Sequence, residues 1–219
     1  MIYQDRRQAG AELAKALSHY RGSVDLVLGL PRGGVPVARE VARLLEAPLD
    51  ALVVRKVGYP HHPEVALGAV TASGVWVANP ETAGRLPRDR GTIQRLISVQ
   101  LREARRVERR FRPGLPPLEV AGKRVILVDD GLATGSTMLC ALMALRPQHP
   151  QRLVVAVPVA PPETVEYLSH QADEVVCPLQ PKNFGYVGQF YKDFRPAASV
   201  PEPDDLHHFA RPQAKAQSR

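Results

Sequence analysis

The sequence predicts an α/β fold: a parallel, twisted sheet flanked by helices. Three observations predict it. Short, continuous apolar runs such as "VDLVLGL" and "DALVVRK" recur along the chain, as strands buried on both faces do. Between them lie stretches whose apolar residues fall at helical spacing. From residue 124 to 178 the two kinds alternate regularly, the order that crossover connections in a parallel sheet produce.

Residues 4–20 read as an amphipathic helix through Ala9, Leu13, Ala16, Leu17 and Tyr20. Residues 24–30 form a buried strand that runs into the tight loop "PRGG". A helix over 35–47 follows, with Pro36 in its first turn, where the missing N–H has no partner to lose. Residues 50–56 are expected to form one strand, and 57–64, with two prolines and a glycine, an exposed loop. "VALGAV" and "VWVAN" around "TASG" suggest a hairpin. Ile93, Leu96, Ile97, Leu101, Ala104, Val107 and Phe111 place a helical stripe along 92–111. Strand 124–129, helix 135–145, strand 152–159, helix 162–171 and strand 174–178 complete the alternation. There is no internal repeat and no clear linker. One domain is expected over 1–200, with a frayed tail over 201–219.

Composition narrows the class. At 219 residues with 44% hydrophobic and 23% charged residues, the chain can enclose a substantial core. It has no apolar run long enough to span a membrane and no secretion-signal pattern at its start, so a cytoplasmic protein is expected. Cys140 and Cys177, each in an apolar context, read as reduced core thiols rather than a disulfide. The net charge of +7 is concentrated in residues 85–112, where ten arginines face only Asp89, Glu103 and Glu108. An amphipathic helix with a solvated charged face explains that segment more simply than a nucleic-acid grip. His61 and His62, like His207 and His208 in the tail, lack the spaced partners of a metal site. Arginine outnumbers lysine 23 to 6, and there are 21 prolines, a faint sign of a thermophile or a GC-rich genome.

The chemistry is concentrated in "VILVDDGLATGST", residues 125–137. Asp129 and Asp130 end a strand, the end at which ligands bind in parallel sheets. Successive strand residues face opposite ways, so both carboxylates can serve one site only if the chain leaves strand geometry, which Gly131 permits. Two carboxylates about 6 Å apart repel by roughly 3 kcal/mol at an effective dielectric near 20. A polyol donating hydroxyl protons, a divalent cation, or both would offset this. The following "ATGST" precedes a helix, and a glycine turn there presents backbone N–H groups and a positive dipole end to an anion. Thr134, Ser136 and Thr137 add hydroxyl donors. Carboxylates for a sugar diol thus adjoin a phosphate cradle, and the implied ligand is a sugar phosphate. A P-loop is excluded, because three residues rather than four separate Gly131 from Gly135 and no lysine follows. No G-x-G-x-x-G is present, so dinucleotide binding has no support.

This stretch resembles the phosphoribosylpyrophosphate (PRPP) motif of the type I phosphoribosyltransferases: apolar residues, two acids, two variable positions, a small residue, Thr-Gly, a variable residue and Thr. The resemblance implies that Asp129 and Asp130 hold the ribose 2′ and 3′ hydroxyls and that Ala133, Thr134, Gly135, Ser136 and Thr137 wrap the 5′-phosphate, with Ala133 replacing a common hydroxyl residue. "GLPRGG" (29–34) is similar to the family's pyrophosphate loop, often built on a strained peptide bond, where Arg32 would supply charge and Gly33 and Gly34 would allow close approach. "RKVGYPHHPEVALGAV" (55–70) is similar to its catalytic loop, placing Arg55 and Lys56 at the departing pyrophosphate. These landmarks cover residues 24–178 and imply Mg²⁺ as cofactor, held mainly through the ligand and through Asp129 and Asp130. They also imply a small C-terminal hood from about residue 179, in which Phe184, Tyr186, Phe190 or Tyr191 either stacks on an acceptor base or fills the hood's own core.

The implied function is transfer of 5-phosphoribose from PRPP to a nucleobase or related nitrogen acceptor, with pyrophosphate released, in nucleotide metabolism or base salvage. The catalytic candidates are Lys56, Arg55 and Asp130, and a homodimer is expected by family analogy. A non-catalytic PRPP sensor acting on RNA or a protein is the alternative, and hydrolysis or phosphorolysis of a nucleotide a third.

Overall fold

In a computed structural model, residues 2–59, 62–79, 82, 84 and 89–197 are described. Thirteen elements follow one another along them. They are α1 (Arg6–Ala16), β1 (Leu26–Gly29), α2 (Gly34–Leu45), β2 (Leu49–Ala51), β3 (Val54–Tyr59), β4 (His62–Thr71), β5 (Trp76–Ala78), α3 (Arg90–Phe111), β6 (Arg124–Val128), α4 (Ser136–Leu145), β7 (Arg152–Ala156), α5 (Pro162–Ser169) and β8 (Glu174–Val176).

Five strands form an all-parallel sheet in the order β2-β1-β6-β7-β8. Alternation along each strand divides the core in two. Leu26, Leu28, Val125, Leu127, Leu153 and Val155 point toward α4 and α5. Val27, Ile126, Val128, Val154 and Ala156 point toward α1 and α2. Both faces are therefore covered, which explains why the strand sequences are apolar throughout.

Two sequence expectations are corrected. The run 50–56 is two strands in two sheets: β2 closes the edge of the parallel sheet, and β3 pairs antiparallel with β4 in a second sheet ordered β3-β4-β5. Val53 and Leu52 sit between them, and the Leu52 amide still donates to Gly29 before the chain departs. The expected loop 57–64 is largely strand, since β3 extends to Tyr59 and β4 starts at His62. His61 and the tail 201–219 lie outside the described residues. The hairpin, the long helix and the later alternation follow the expected pattern. Cys140 and Cys177 are buried free thiols, and burial pushes them up to about 11 and about 12.

A third, smaller core joins the two ends of the described chain. Tyr3, Ala9 and Val159 pack with Phe190 and Tyr191, and Phe184, Val187 and Phe194 close around them. Tyr3 bridges to Tyr191, its amide donates to Phe190, and its hydroxyl donates to the Pro158 carbonyl. No helix among the described residues is long and apolar enough to cross a membrane.

Candidate phosphoribosyl site

Connections from β1 and β6 leave in opposite directions, because β2 lies on one side of this pair and β7 and β8 on the other. The crevice beyond their carboxyl ends is where doubly wound sheets bind ligands. Two loops meet there. After β1, Pro31-Arg32-Gly33 leads into α2, and the Pro31–Arg32 peptide is cis. After β6, Asp129 to Gly135 leads into α4.

These loops touch. A Cβ on Gly33 would lie 2.0 Å from Asp130 Oδ2, and one on Gly34 would lie 2.6 Å from the Val128 carbonyl oxygen. The sequence marks both glycines as places where a ligand comes close; the atoms that come close are those of the acidic pair itself. Asp129 Oδ1 accepts the Asp130 amide at 2.9 Å. Asp130 Oδ2 accepts from Arg6 Nε at 2.8 Å, with the two side chains 13% and 12% exposed. Tyr191 donates its hydroxyl to the Asp130 carbonyl at 2.5 Å. Burial, and then the neighbouring charge of Asp130, hold Asp129 well above the usual carboxylate range. Burial raises Asp130 as well, and Arg6 opposes the rise. The pair is thus poised for a partner that supplies positive charge or hydroxyl protons.

Arg6 is the residue that sequence reasoning missed. It also stacks over Phe194 at 4.1 Å and donates to the Arg195 carbonyl. It lies 124 positions from Asp130, and its only local signal is a place in the first turn of a helix capped by Asp5.

Beyond the acids, Gly135 takes φ of 70°, the left-handed conformation that turns the chain into α4. Leu132 is tied to the Val159 carbonyl, and Thr164 donates to the Ala133 carbonyl. The turn is therefore held from outside while Ala133, Thr134 and Thr137 stay exposed. Thr134 and Ser136 share a hydroxyl hydrogen bond. Among the described residues the amides of Ala133, Thr134, Gly135 and Thr137 have no acceptor. Unpaired amide donors at a helix start are a geometry that favours anions.

Arg32, Arg55, Lys56 and Thr137 line one cavity of about 800 Å³ next to this turn, floored by Leu30 and Pro31. The structure thus gathers Arg32, Arg55 and Lys56 at one cavity and Gly33, Gly34, Asp129 and Asp130 at the contact between the two loops. Phe190 and Tyr191 are not at its open face: both are buried in the hood core, which matches the packing alternative rather than base stacking. Tyr186 is 65% exposed. Among the described residues no three His, Cys, Asp or Glu side chains converge as a metal cluster.

A crevice at the strand-order reversal, bordered by a loop with an acidic pair and a glycine turn into a helix, is the kind of site that doubly wound α/β domains carry. Residues 1–195 match the phosphoribosyl transferase domain model, and the chain belongs to that family. It is 43% identical over 193 residues to two Mycobacterium tuberculosis proteins provisionally named as phosphoribosyl transferases, Rv0571c of strain H37Rv and MT0597 of strain CDC 1551. The match takes in 88% of this chain and 44% of each relative, so the chain spans less than half their length. The crystal structure of TT1426 from Thermus thermophilus is similar, with a TM-score of 0.84, 46% identity, and coverage of 91% of this chain and 94% of that one.

Proposed function

We propose that the protein transfers 5-phosphoribose from PRPP to a nitrogen acceptor of the nucleobase class. The observation that supports this reading is the contact between the two loops, which sets the acidic pair against Gly33 and Gly34, with Arg32 of the same loop lining a cationic cavity that Thr137 of the phosphate turn also lines. The unpaired amides of Ala133, Thr134, Gly135 and Thr137 and the hydroxyls of Thr134, Ser136 and Thr137 receive the 5′-phosphate. Asp129 and Asp130 accept hydrogen bonds from the ribose hydroxyls, and Arg6 keeps one oxygen of Asp130 in place. The acceptor nitrogen then bonds to C1 as the bond from C1 to pyrophosphate breaks. The electron pair leaves with pyrophosphate, and the acceptor's proton passes to solvent. Arg32, Arg55 and Lys56 stabilise the negative charge that develops on the leaving oxygen.

Mg²⁺ suits this donor set. Two adjacent carboxylates whose proton affinity is raised by burial favour a cation, yet they fall short of the roughly six oxygens magnesium takes, so phosphate and ribose oxygens would complete its shell. When bound, it supplies charge neutralisation to the phosphates.

The test is incubation with PRPP, Mg²⁺ and a panel of purine and pyrimidine bases while pyrophosphate release is followed. Base-dependent release supports transfer. PRPP binding without release across the panel would support the sensor reading, and free ribose phosphate without nucleotide would support hydrolysis.

A further inference from the structure

We propose that Arg106 and Arg110 of α3 form the far wall of the pyrophosphate subsite. Neither belongs to the sequence motifs described above, and the charge of their segment otherwise reads as a solvated helix face. The cavity that holds Arg32, Arg55 and Lys56 is also lined by α3. Glu103, Arg106, Val107 and Arg110 line it, and their spacing of three and four residues is that of one helical face.

Three contacts fix this face toward the site. Arg112, at the end of α3, makes a buried two-bond ion pair with Asp50 at 2.7 and 3.0 Å. Arg105 donates to the Ala72 carbonyl from an adjoining face. Arg55 Nε donates to Gln100 Oε1 at 3.3 Å, joining β3 to the helix across the cavity mouth. Among the described residues lining the cavity are five cationic side chains (Arg32, Arg55, Lys56, Arg106, Arg110) and one carboxylate, Glu103, which Arg106 engages through Nε at 3.1 Å and Nη2 at 2.9 Å. Arg110 has no hydrogen-bond or ion-pair partner among the described residues.

A concave surface lined by five positive groups and one carboxylate selects a compact polyanion, because several phosphate charges can be met at once. Thr137 belongs to both the cavity and the start of α4. An anion in the cavity therefore lies next to the phosphate turn rather than on an outer surface. The assignment rests on reading residues 129–137 as the ribose-phosphate end, which leaves the cavity to the other end of the same ligand.

Titration calorimetry with inorganic pyrophosphate and, separately, ribose 5-phosphate, at physiological salt, tests it. Two charge-matched doubles are compared with the parent protein: R106Q/R110Q in the cavity, and R102Q/R109Q, which remove exposed arginines outside it. The expected result is a tenfold or greater loss of pyrophosphate affinity in the first double and less than a twofold change in the second. Ribose 5-phosphate should bind equally to all three. Equal weakening of pyrophosphate binding by both doubles, no weakening by either, or no pyrophosphate binding by the parent would overturn the assignment. Pyrophosphate binding that depends on Arg106 and Arg110 in a protein that ignores ribose 5-phosphate would instead overturn the phosphoribosyl reading, and with it the place of this cavity at the other end of the same ligand, while leaving the two arginines as part of an anion site.

Discussion

The acidic pair is where single side chains decide most. Asp129 and Asp130 are legible in the sequence as a pair of acids ending a strand, and Gly33 as a residue without bulk. Their mutual contact is not legible, because nothing local says that a loop at residue 33 presses on a carboxylate at residue 130. Gly33→Ala would bring a methyl group to 2.0 Å from Asp130 Oδ2, so the carboxylate must move. We expect at least a tenfold loss of PRPP affinity by calorimetry, with the melting temperature within a few degrees of the parent. Asp130→Asn and Lys56→Ala are expected to cut turnover about 100-fold or more while far-UV dichroism and the melting transition stay unchanged. A parallel loss of stability and activity in both would assign them a structural role. Asp129→Asn should do something different. Burial raises the proton affinity of Asp129, so the native state holds that proton more tightly than the unfolded chain does. Stability from this group is present at low pH and is lost as pH rises through the raised native value. The Asn variant, which keeps an acceptor for the Asp130 amide, should therefore melt a few degrees higher at pH 8, with the gain shrinking as pH falls toward 4. A gain independent of pH would show that the charge of Asp129 carries no penalty.

Whole elements show where pattern reading succeeds and where it stops. β1, β6 and β7 are runs of residues buried on both faces, and their hydrophobicity alone announces them. The division of 50–56 into β2 and β3 has no such signal. The run is continuous, and what divides it is pairing with Val27 to Gly29 on one side and with Val70 and Thr71 on the other. The arginine-rich segment is likewise legible as a helix but not as a set of separate jobs. Arg95 pairs with its capping Asp89, Arg105 holds the hairpin, Arg106 and Arg110 face the cavity, and Arg112 is buried. That last pairing is the anchor of α3. The Arg112 and Asp50 side chains are each 5% exposed, so removing one partner strands a charge out of water. Asp50→Ala is expected to lower unfolding stability by about 3–5 kcal/mol in urea denaturation. A loss under about 1 kcal/mol, the range of exposed pairs, would mean that water reaches the site.

At the scale of the molecule, the crevice is assembled from opposite ends of the chain. The alternating pattern fails after residue 178 because, among the described residues, the hood carries only one 3₁₀ turn, Val187–Phe190, and isolated bridges at Leu179 and Tyr191. Its order comes from Tyr3, more than 180 residues away, whose ring lies 5.5 Å from that of Tyr191. The same unit reaches the site twice: Tyr191 holds the Asp130 carbonyl, and Arg6, three residues beyond Tyr3, holds its carboxylate. Loosening the clasp should therefore be felt at the acids before it is felt in the sheet. Tyr3→Ala removes a fully buried aromatic side chain, a change that costs about 3–5 kcal/mol for large aromatics in cores. Global stability alone cannot distinguish a clasp from ordinary core packing, but native-state hydrogen exchange can. If the hood and α1 clamp the site as a unit, the hydrogen-bonded amides of Asp130 and Leu132 should exchange faster in the variant under conditions where those of β6 and β7 remain protected. Uniform acceleration across the sheet and the turn would mean that Tyr3 is simply one more core residue. With the clasp intact and Arg6 alone changed to Gln, the amides of Asp130 and Leu132 should keep their protection while PRPP affinity falls, because the carboxylate then loses its guanidinium without losing the fold around it.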